Sequence, residues 1–587
     1  MKANDTLAPT HRLDFGEALT PPQGYSLDAA IGTTFSAEFA TALTVPVAMA
    51  LRGGVERDEL MENPLAALAA MQRLQDRVRI YVEAGNIHPP TGKGNALISL
   101  LEDTLVEVAP PSGASFHPKL WLLRFTPDSD REPYRQRLII MSRNLTRDRS
   151  WDIALRLEGK ETATDHRRND PIAKLIDWLP GRKPQRVRVM RDRLPHVRWE
   201  RVPDFSGPVF HSHFPGSGFQ WKPGKGTMAV ISPFCDDAGL NHLGRDRICA
   251  LVACDDWLAG LNQNTLRCMT LSDHAVIEQE PTEHQERAGL HAKIFITEHE
   301  GETAITLGSG NATAAGLATN GMRNIEVFAT LRGNSAKVGG IGLGDAGLMG
   351  HGGIGPLLVD WVPRTLTEEE SENAAFEDAV RKARQAICAA KPRLTFKQEA
   401  ESWSATLSME APSIPGIQRI HARLATLHSP ERLAGPGPWK LGITSLLNAT
   451  RFIRFDLKGD KGTTASFVTQ AEAEGLPDGE IRLRAIFDEI VRSPDQIFSF
   501  VHAMLETTPN ITHLMRTGRT RLEGEGKRRI DAPPFLEALL KTFLSDNGRT
   551  RIAELDKLLN LTSGQADSVK KLRDLLVQFR KAGGKPR

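Results

Sequence analysis

Hydrophobic positions along this chain fall into short alternating or continuous runs separated by helix-length stretches. The run "SLDAAIGTTFS" predicts a strand leading into an apolar helix over 37–51. Residues 77–85, "RVRIYVEAG", alternate as a strand does, and 95–105, "NALISLLEDTL", carry helical spacing. Two apolar strands follow, "HPKLWLLRF" and "RQRLIIMSRN", and then a third, "WDIALRLEG". Strand and helix therefore alternate over the first 160 residues, which argues an α/β layered unit. After a helix, "PIAKLIDWL", and a basic stretch read as strand-like, "PQRVRVMRDRLPHVRWER", the earlier order recurs from about 225. "GTMAVISPF", "ICALVACDDWLAGL", "HAKIFITE", "ETAITLGSGN" and "NIEVFATLRG" repeat it in order of elements rather than in identity.

The expected organisation is an irregular arm over 1–26, a first repeat over 27–175 and a second over 176–365. A helical connector at 366–391 and an accessory mixed α/β unit at 392–587 complete it. The Gly-rich stretch at 339–355 lacks a strand-to-helix frame and reads as a mobile loop rather than a phosphate cradle.

Composition narrows the function classes. The chain has 587 residues, so several domains are expected, and its formal charge of +2 means that an anionic ligand must be met by local patches. The five cysteines, at 235, 249, 254, 268 and 388, form no Cys-x-x-Cys pair. That argues against a zinc ribbon or disulfide framework and fits a reducing cytoplasm. No secretory leader and no membrane-length apolar run is seen, so no membrane partner is expected.

The chemistry lies in two stretches, "SFHPKLWLLRF" at 115–125 and "GLHAKIFITE" at 289–298. Of 17 histidines, only His117 and His291 are followed two places later by a lysine, Lys119 and Lys293. Each pair is followed at a strand end by Ser-x-Asn: Ser142 and Asn144 in "SRNLT", Ser309 and Asn311 in "SGNAT". Each Asn is followed by an acid on the next strand, Asp152 or Glu326. On an extended strand, residues i and i+2 share a face. A lysine suits a phosphate oxygen, Ser and Asn donate neutral hydrogen bonds, and a carboxylate fixes an imidazole's tautomer. Two such half-sites across one phosphate supply a nucleophile and a proton donor without a metal or other cofactor.

The double pattern resembles the phospholipase D superfamily, whose repeated motif is His-x-Lys, four spacers, Asp, then Gly-Ser-x-Asn. The second copy matches with Glu298 in the Asp place and Gly308 before Ser309. The first departs, with Arg124 in that place and Met141 before Ser142; loss of the Asp is similar to the tyrosyl-DNA phosphodiesterase branch. The resemblance implies an α/β fold of two repeats sharing one pseudo-twofold active site, and a metal-independent phosphodiesterase working through a phosphohistidine. Three basic runs favour nucleic acid, DNA before RNA, over lipid. One comprises Arg131, Arg135, Arg137, Arg143, Arg147 and Arg149. A second comprises Arg182, Lys183, Arg186, Arg188, Arg191 and Arg193, and the third is "RTGRTRLEGEGKRR". Of these, Arg143, Arg147, Arg186 and Arg188 are the expected phosphate contacts. Bacterial relatives imply a restriction or antiphage role beside a separate helicase. A tyrosyl-DNA-type repair enzyme and an inactive nucleic-acid-binding subunit stay open as alternatives.

Overall fold

The computed structural model describes residues 6–506, apart from 9–10, 52–63, 91–95, 130, 148–149, 268–272, 278–288, 319–322, 343–346, 429–430, 434–436 and 492. Scattered positions between 509 and 578 are also described. The third basic run and Arg149 lie outside the described residues.

The first unit supplies β1 (Tyr25–Thr34), β2 (Ala37–Glu38), β3 (Val78–Glu83), β4 (Ile87–His88), β5 (Leu105–Val108), β6 (Leu120–Pro127), β7 (Arg135–Met141), β8 (Ala154–Glu161) and β9 (Val197–Trp199). The second supplies β10 (Val209–His213), β11 (Thr227–Ile231), β12 (Ile248–Val252), β13 (Asp273–Ile277), β14 (Ile294–His299), β15 (Glu302–Gly308), β16 (Glu326–Asn334) and β17 (Leu358–Asp360). Their sheets run β5-β3-β1-β6-β7-β8-β9 and, read in the same sense, β17-β13-β12-β11-β14-β15-β16-β10. Apart from β17 the two match strand for strand. The inner pairs β1–β3 and β11–β12 are parallel, whereas β1–β6 and β11–β14 are antiparallel.

The strands are apolar on both faces because both faces are covered. Along β6, Leu120 and Leu122 point into a core shared with Ile294, Ile296 and Leu307 of the second sheet. Trp121, Leu123 and Phe125 point the other way, onto helices Phe39–Ala50 and Pro64–Arg73. Helices Asp170–Trp178 and Gln185–Arg193 add Ile172, Leu175, Val187 and Met190 to that shared core, so the first sheet carries helices on both faces.

Several expectations need correction. The first sheet reaches β9, well past residue 175. The arm is not wholly irregular: Phe15–Leu19 is helical, capped by Asp14, with Ala18 and Leu19 buried. The 95–105 stretch is a 3-10 turn, Ala96–Leu101, followed by β5. The basic stretch is a helix, Gln185–Arg193, that buries Val187 and Met190. Spacing of i, i+3 wins there over the Arg-Val alternation. Within the Gly-rich stretch Leu348, Met349 and Ile354 are buried, and Ile341 N–H donates to Glu298 (2.9 Å), so its described part is a packed loop.

The C-terminal unit contributes β18 (Arg393–Glu399), β19 (Ser402–Ser408), β20 (Ile417–Leu424), β21 (Glu431–Arg432), β22 (Trp439–Thr444), β23 (Phe452–Gly459), β24 (Thr464–Gln470) and β25 (Glu472–Glu474). They form one sheet of order β22-β19-β18-β25 and another of order β2-β4-β24-β23-β20-β21. The second borrows β2 and β4 from the first unit, through the pair Val468 and Ile87. Helix Glu368–Ala389, expected as a connector, places Ala383 and Ile387 in this unit's core.

Candidate active site

Each His-x-Lys segment sits just before a central strand, β6 or β14, and is pinned by the other half of the molecule. His117 N–H donates to Ile325 C=O (2.9 Å), and Ile325 N–H donates to Ser115 C=O (2.9 Å). In the mirror position His291 N–H donates to Trp151 C=O (2.9 Å), and Trp151 N–H to Gly289 C=O (2.8 Å). Ile325 and Trp151 immediately precede Glu326 and Asp152. The backbone therefore carries each acid to the histidine of the opposite half.

Nδ1 of His117 lies 3.2 Å from Oε2 of Glu326, and Nδ1 of His291 lies 2.8 Å from Oδ1 of Asp152. Each carboxylate is fixed from its own half by a serine: Ser142 Oγ donates to Asp152 (2.8 Å) and Ser309 Oγ to Glu326. Each serine hydroxyl in turn accepts from the amide following the acid, Ile153 (2.9 Å) or Val327 (3.0 Å). An ionised carboxylate can only accept, so Nδ1 of each imidazole carries the proton and Nε2 keeps its lone pair.

Burial pushes both carboxyls up, but the histidine contacts, nearby lysine charge and serine hydrogen bonds outweigh it and hold Asp152 and Glu326 low. Burial and then Lys119 lower His117, against the pull of Glu326. Burial and Lys293 lower His291 to about 4 despite Asp152. Both lysine side chains are fully buried, and each ammonium donates to the carbonyl of its own histidine: Lys119 to His117 at 3.1 Å, Lys293 to His291 at 2.5 Å. Lys293 falls to about 8 through burial, and Lys119 falls well below its usual range through burial and the Lys293 charge. The half-sites thus form one electrostatic unit. It holds two cations close together, as a site awaiting an anion would.

Asn144 and Asn311 follow suit. Leu145 N–H donates to Thr34 Oγ1 (3.0 Å) and Ala312 N–H to Ser232 Oγ (2.9 Å), fixing the turn after each asparagine. The carboxamide Oδ1 of each asparagine is buried without a partner among the described residues. The halves differ at Phe35, whose ring lies 5.1 Å edge-on from that of His117; Lys119 Nζ lies 5.8 Å from the Phe35 centroid.

Sequence reasoning missed Glu83 at the end of β3. Its Oε2 accepts from Phe116 N–H (2.6 Å), next to His117, and its Oε1 from Asn86 (2.8 Å). Burial raises it to about 7, opposed chiefly by Arg384 from helix Glu368–Ala389. Gly85, at φ +74°, admits that helix: a Cβ there would meet Arg384 at 2.5 Å. The corresponding place in the second half holds Cys254, 3.9 Å from Leu290 C=O. A lone Glu ending a strand carried no signal of its role.

Other expected residues lie elsewhere. Arg124 is ion-paired to Asp28 (2.5 Å) and Glu161 (2.7 Å), and Glu298 caps the loop at Ile341, both at the strand ends away from the histidines. Arg186 pairs with the same Asp28 (2.7 Å), and Arg137 is buried against Glu158 (2.5 Å), so their charges are met within the chain. Arg143 donates to Thr146 C=O (3.3 Å), whereas Arg147 and Arg188 are exposed. Among the described residues no His, Cys, Asp and Glu cluster could hold a metal, and no helix is long and apolar enough to cross a membrane.

No protein-family model matches the chain, and neither does any curated protein. Among solved structures it is similar to yeast tyrosyl-DNA phosphodiesterase, at 12% identity and a TM-score of 0.33, over 54% of this chain and 85% of that one. It is also similar to polyphosphate kinase from Porphyromonas gingivalis, at 10% identity and a TM-score of 0.26, over 54% and 44%. Scores this low leave the chemistry to be read from the geometry.

Proposed function

We propose that the chain is a phospholipase D-like phosphodiesterase, built from two such repeats, that cleaves nucleic acid, DNA before RNA. The observation that carries the reading is the crossed pair of imidazole–carboxylate contacts, each beside a buried lysine. In the first step Nε2 of His117 attacks phosphorus while His291 gives its proton to the leaving oxygen. A phosphohistidine and a free alcohol result. In the second step neutral His291 takes a proton from water, whose oxygen attacks phosphorus and releases His117. The bound phosphate anion raises the proton affinity of His291, which the lysines depress in the free site. Lys119, Lys293, Asn144 and Asn311 face the non-bridging oxygens as the charge builds.

His117 is assigned as nucleophile because Phe35 restricts its ring and its side chain is 11% exposed. His291, at 17%, is the better placed to exchange protons with water. Exposed Arg147 and Arg188 support a polyanionic substrate. A place in an antiphage or restriction module beside a helicase follows from the family resemblance alone. Cleavage of end-labelled single- and double-stranded DNA in EDTA tests the reading. Turnover that His117→Ala and His291→Ala abolish is expected. Tight binding with no turnover by the wild type would favour an inactive binding subunit. Activity confined to 3′-tyrosyl ends would favour a repair enzyme.

A further inference from the structure

The outer face of the C-terminal six-stranded sheet carries an unusual charge arrangement. Strands β20 and β23 are antiparallel, with Arg423 opposite Arg454, His421 opposite Asp456 and Arg419 opposite Lys458. Like charges set directly across a ladder repel, and a sheet selected only for stability would alternate them. Of these four cations, Arg423 and Arg454 reach a carboxylate, that of Asp456. Asp456 accepts from Arg454 Nε (2.7 Å) and from Ser466 Oγ (2.5 Å), and lies 3.5 Å from Arg423. Arg423 Nε is buried without a hydrogen-bond partner, and Arg419 and Lys458 have no carboxylate partner among the described residues. The chain as a whole is close to neutral, so this concentration is local.

The sheet's position gives the patch meaning. Its inner side chains, Ile453, Phe455 and Leu457, fill the sandwich core. On the outer side Phe452 packs edge-on against Phe39 of the first unit, with centroids 5.0 Å apart, so the cations border that unit. The same sheet continues through β24 and β4 to β2, where Ala37 bridges Leu145, the residue after Asn144. At about 4.8 Å per strand, β23 and β20 lie roughly 19 to 24 Å across the sheet from that catalytic turn.

We infer that this face is a second docking surface for the phosphate backbone of the nucleic acid cleaved at the histidines, an inference that rests on the function proposed above. Guanidinium, ammonium and hydroxyl donors suit phosphate oxygens and read no sequence. Outward positions 419 to 423 span about 14 Å, the length of about four phosphates along one strand. Among the described residues, the outward side chains paired across β20 and β23 here, Arg419, His421, Arg423, Arg454, Asp456 and Lys458, include no apolar anchor of the kind a protein partner needs, so nucleic acid fits the face better than an acidic protein.

Binding of a fluorescein-labelled single-stranded oligonucleotide to the full chain, followed by anisotropy across sodium chloride concentrations, tests this without requiring turnover. The double variant Arg419→Gln/Lys458→Gln should lower the log–log salt slope by about 1.4, at about 0.7 per lost contact, and weaken low-salt binding about tenfold. Turnover of bis(p-nitrophenyl) phosphate should be unchanged, and the charge-conserving variant Arg419→Lys/Lys458→Arg should keep the wild-type slope. An unaltered slope in the Gln variant, equal loss in the charge-conserving variant, or tighter binding of polyglutamate than of the oligonucleotide would overturn the inference. Wild-type DNA binding with no turnover of any diester would sink the phosphodiesterase reading and leave this surface standing. Diester turnover with an unaltered slope would do the reverse.

Discussion

Glu326 holds Nδ1 of His117 at 3.2 Å although the two residues stand 209 positions apart, on opposite halves of the molecule. Asp152 does the same for His291 in the reverse direction. Each half therefore contributes a histidine whose Nδ1 is held by a carboxylate of the other half. The crossing follows from the backbone, because Ile325 and Trp151 pair with the chain beside the opposite histidine.

The pH dependence of DNA cleavage should be acid-shifted. In the free site one histidine must be neutral and the other protonated. His291 titrates at about 4, and His117 is held below its usual 6.5. On DNA, kcat/KM should be highest on the acid side of the usual histidine range and fall toward pH 8, since the free-enzyme profile reports these groups. On a p-nitrophenyl diester, whose leaving group needs no proton, that fall should flatten. A drop above about 8, where Lys293 loses its charge, should remain on both. A DNA profile that is flat from pH 5 to 8 would contradict the assignment.

The buried lysines should cost stability. For a lysine the folded value lies below the unfolded one, so folding disfavours the charged form at every pH below about 8. Lys293→Met should leave Tm at pH 7 unchanged or raise it, while kcat drops about 10²- to 10³-fold for loss of a charge facing the developing anion. A clear fall in Tm would show that the carboxylates nearby depend on the lysine for their own burial.

Two buried glutamates set a stability slope between pH 4.5 and about 7. Burial raises Glu83 and Glu107 to about 7; Glu107 joins the first unit to the C-terminal sheet by accepting from Gly85 N–H (2.9 Å), Thr469 Oγ1 (2.7 Å) and Gln470 N–H (2.8 Å). Their folded values exceed the unfolded 4.5, so stability is greatest below about 4.5 as far as these groups go, and is lost as pH rises through about 7. Asp152 and Glu326 act oppositely and only at lower pH. Denaturant melts from pH 5 to 8 should show declining stability, and Glu107→Gln should flatten the decline. An unchanged slope in that variant would assign it to other groups.

The sequence made the half-sites legible because their chemistry is local. His-x-Lys and Ser-x-Asn lie within a few residues of a strand end, and strand geometry puts them on one face. Asp152 and Glu326 were legible as acids on the next strand, but their crossing was not, since it depends on how two sheets pack. Glu83 was hidden for the same reason: its partner, Phe116 N–H, is a backbone group. The helix at 185–193 was missed because Arg-Val-Arg-Val alternation resembles a strand, although Val189 is exposed and Val187 and Met190 are buried at helical spacing. Arg186 could not be told from a ligand contact, because Asp28 lies 158 residues away.

The crossing is tested most directly by comparing Asp152→Asn and Glu326→Gln on DNA and on bis(p-nitrophenyl) phosphate. Both should cut DNA poorly, by about 10²- to 10⁴-fold, because a mis-set imidazole tautomer disables its histidine. If each acid serves the opposite histidine, Asp152→Asn should behave like His291→Ala and recover most activity on the p-nitrophenyl diester. Glu326→Gln should behave like His117→Ala and recover none. Recovery in Glu326→Gln together with His291→Ala, but not in Asp152→Asn, would mean that each acid serves its own half and would contradict the account.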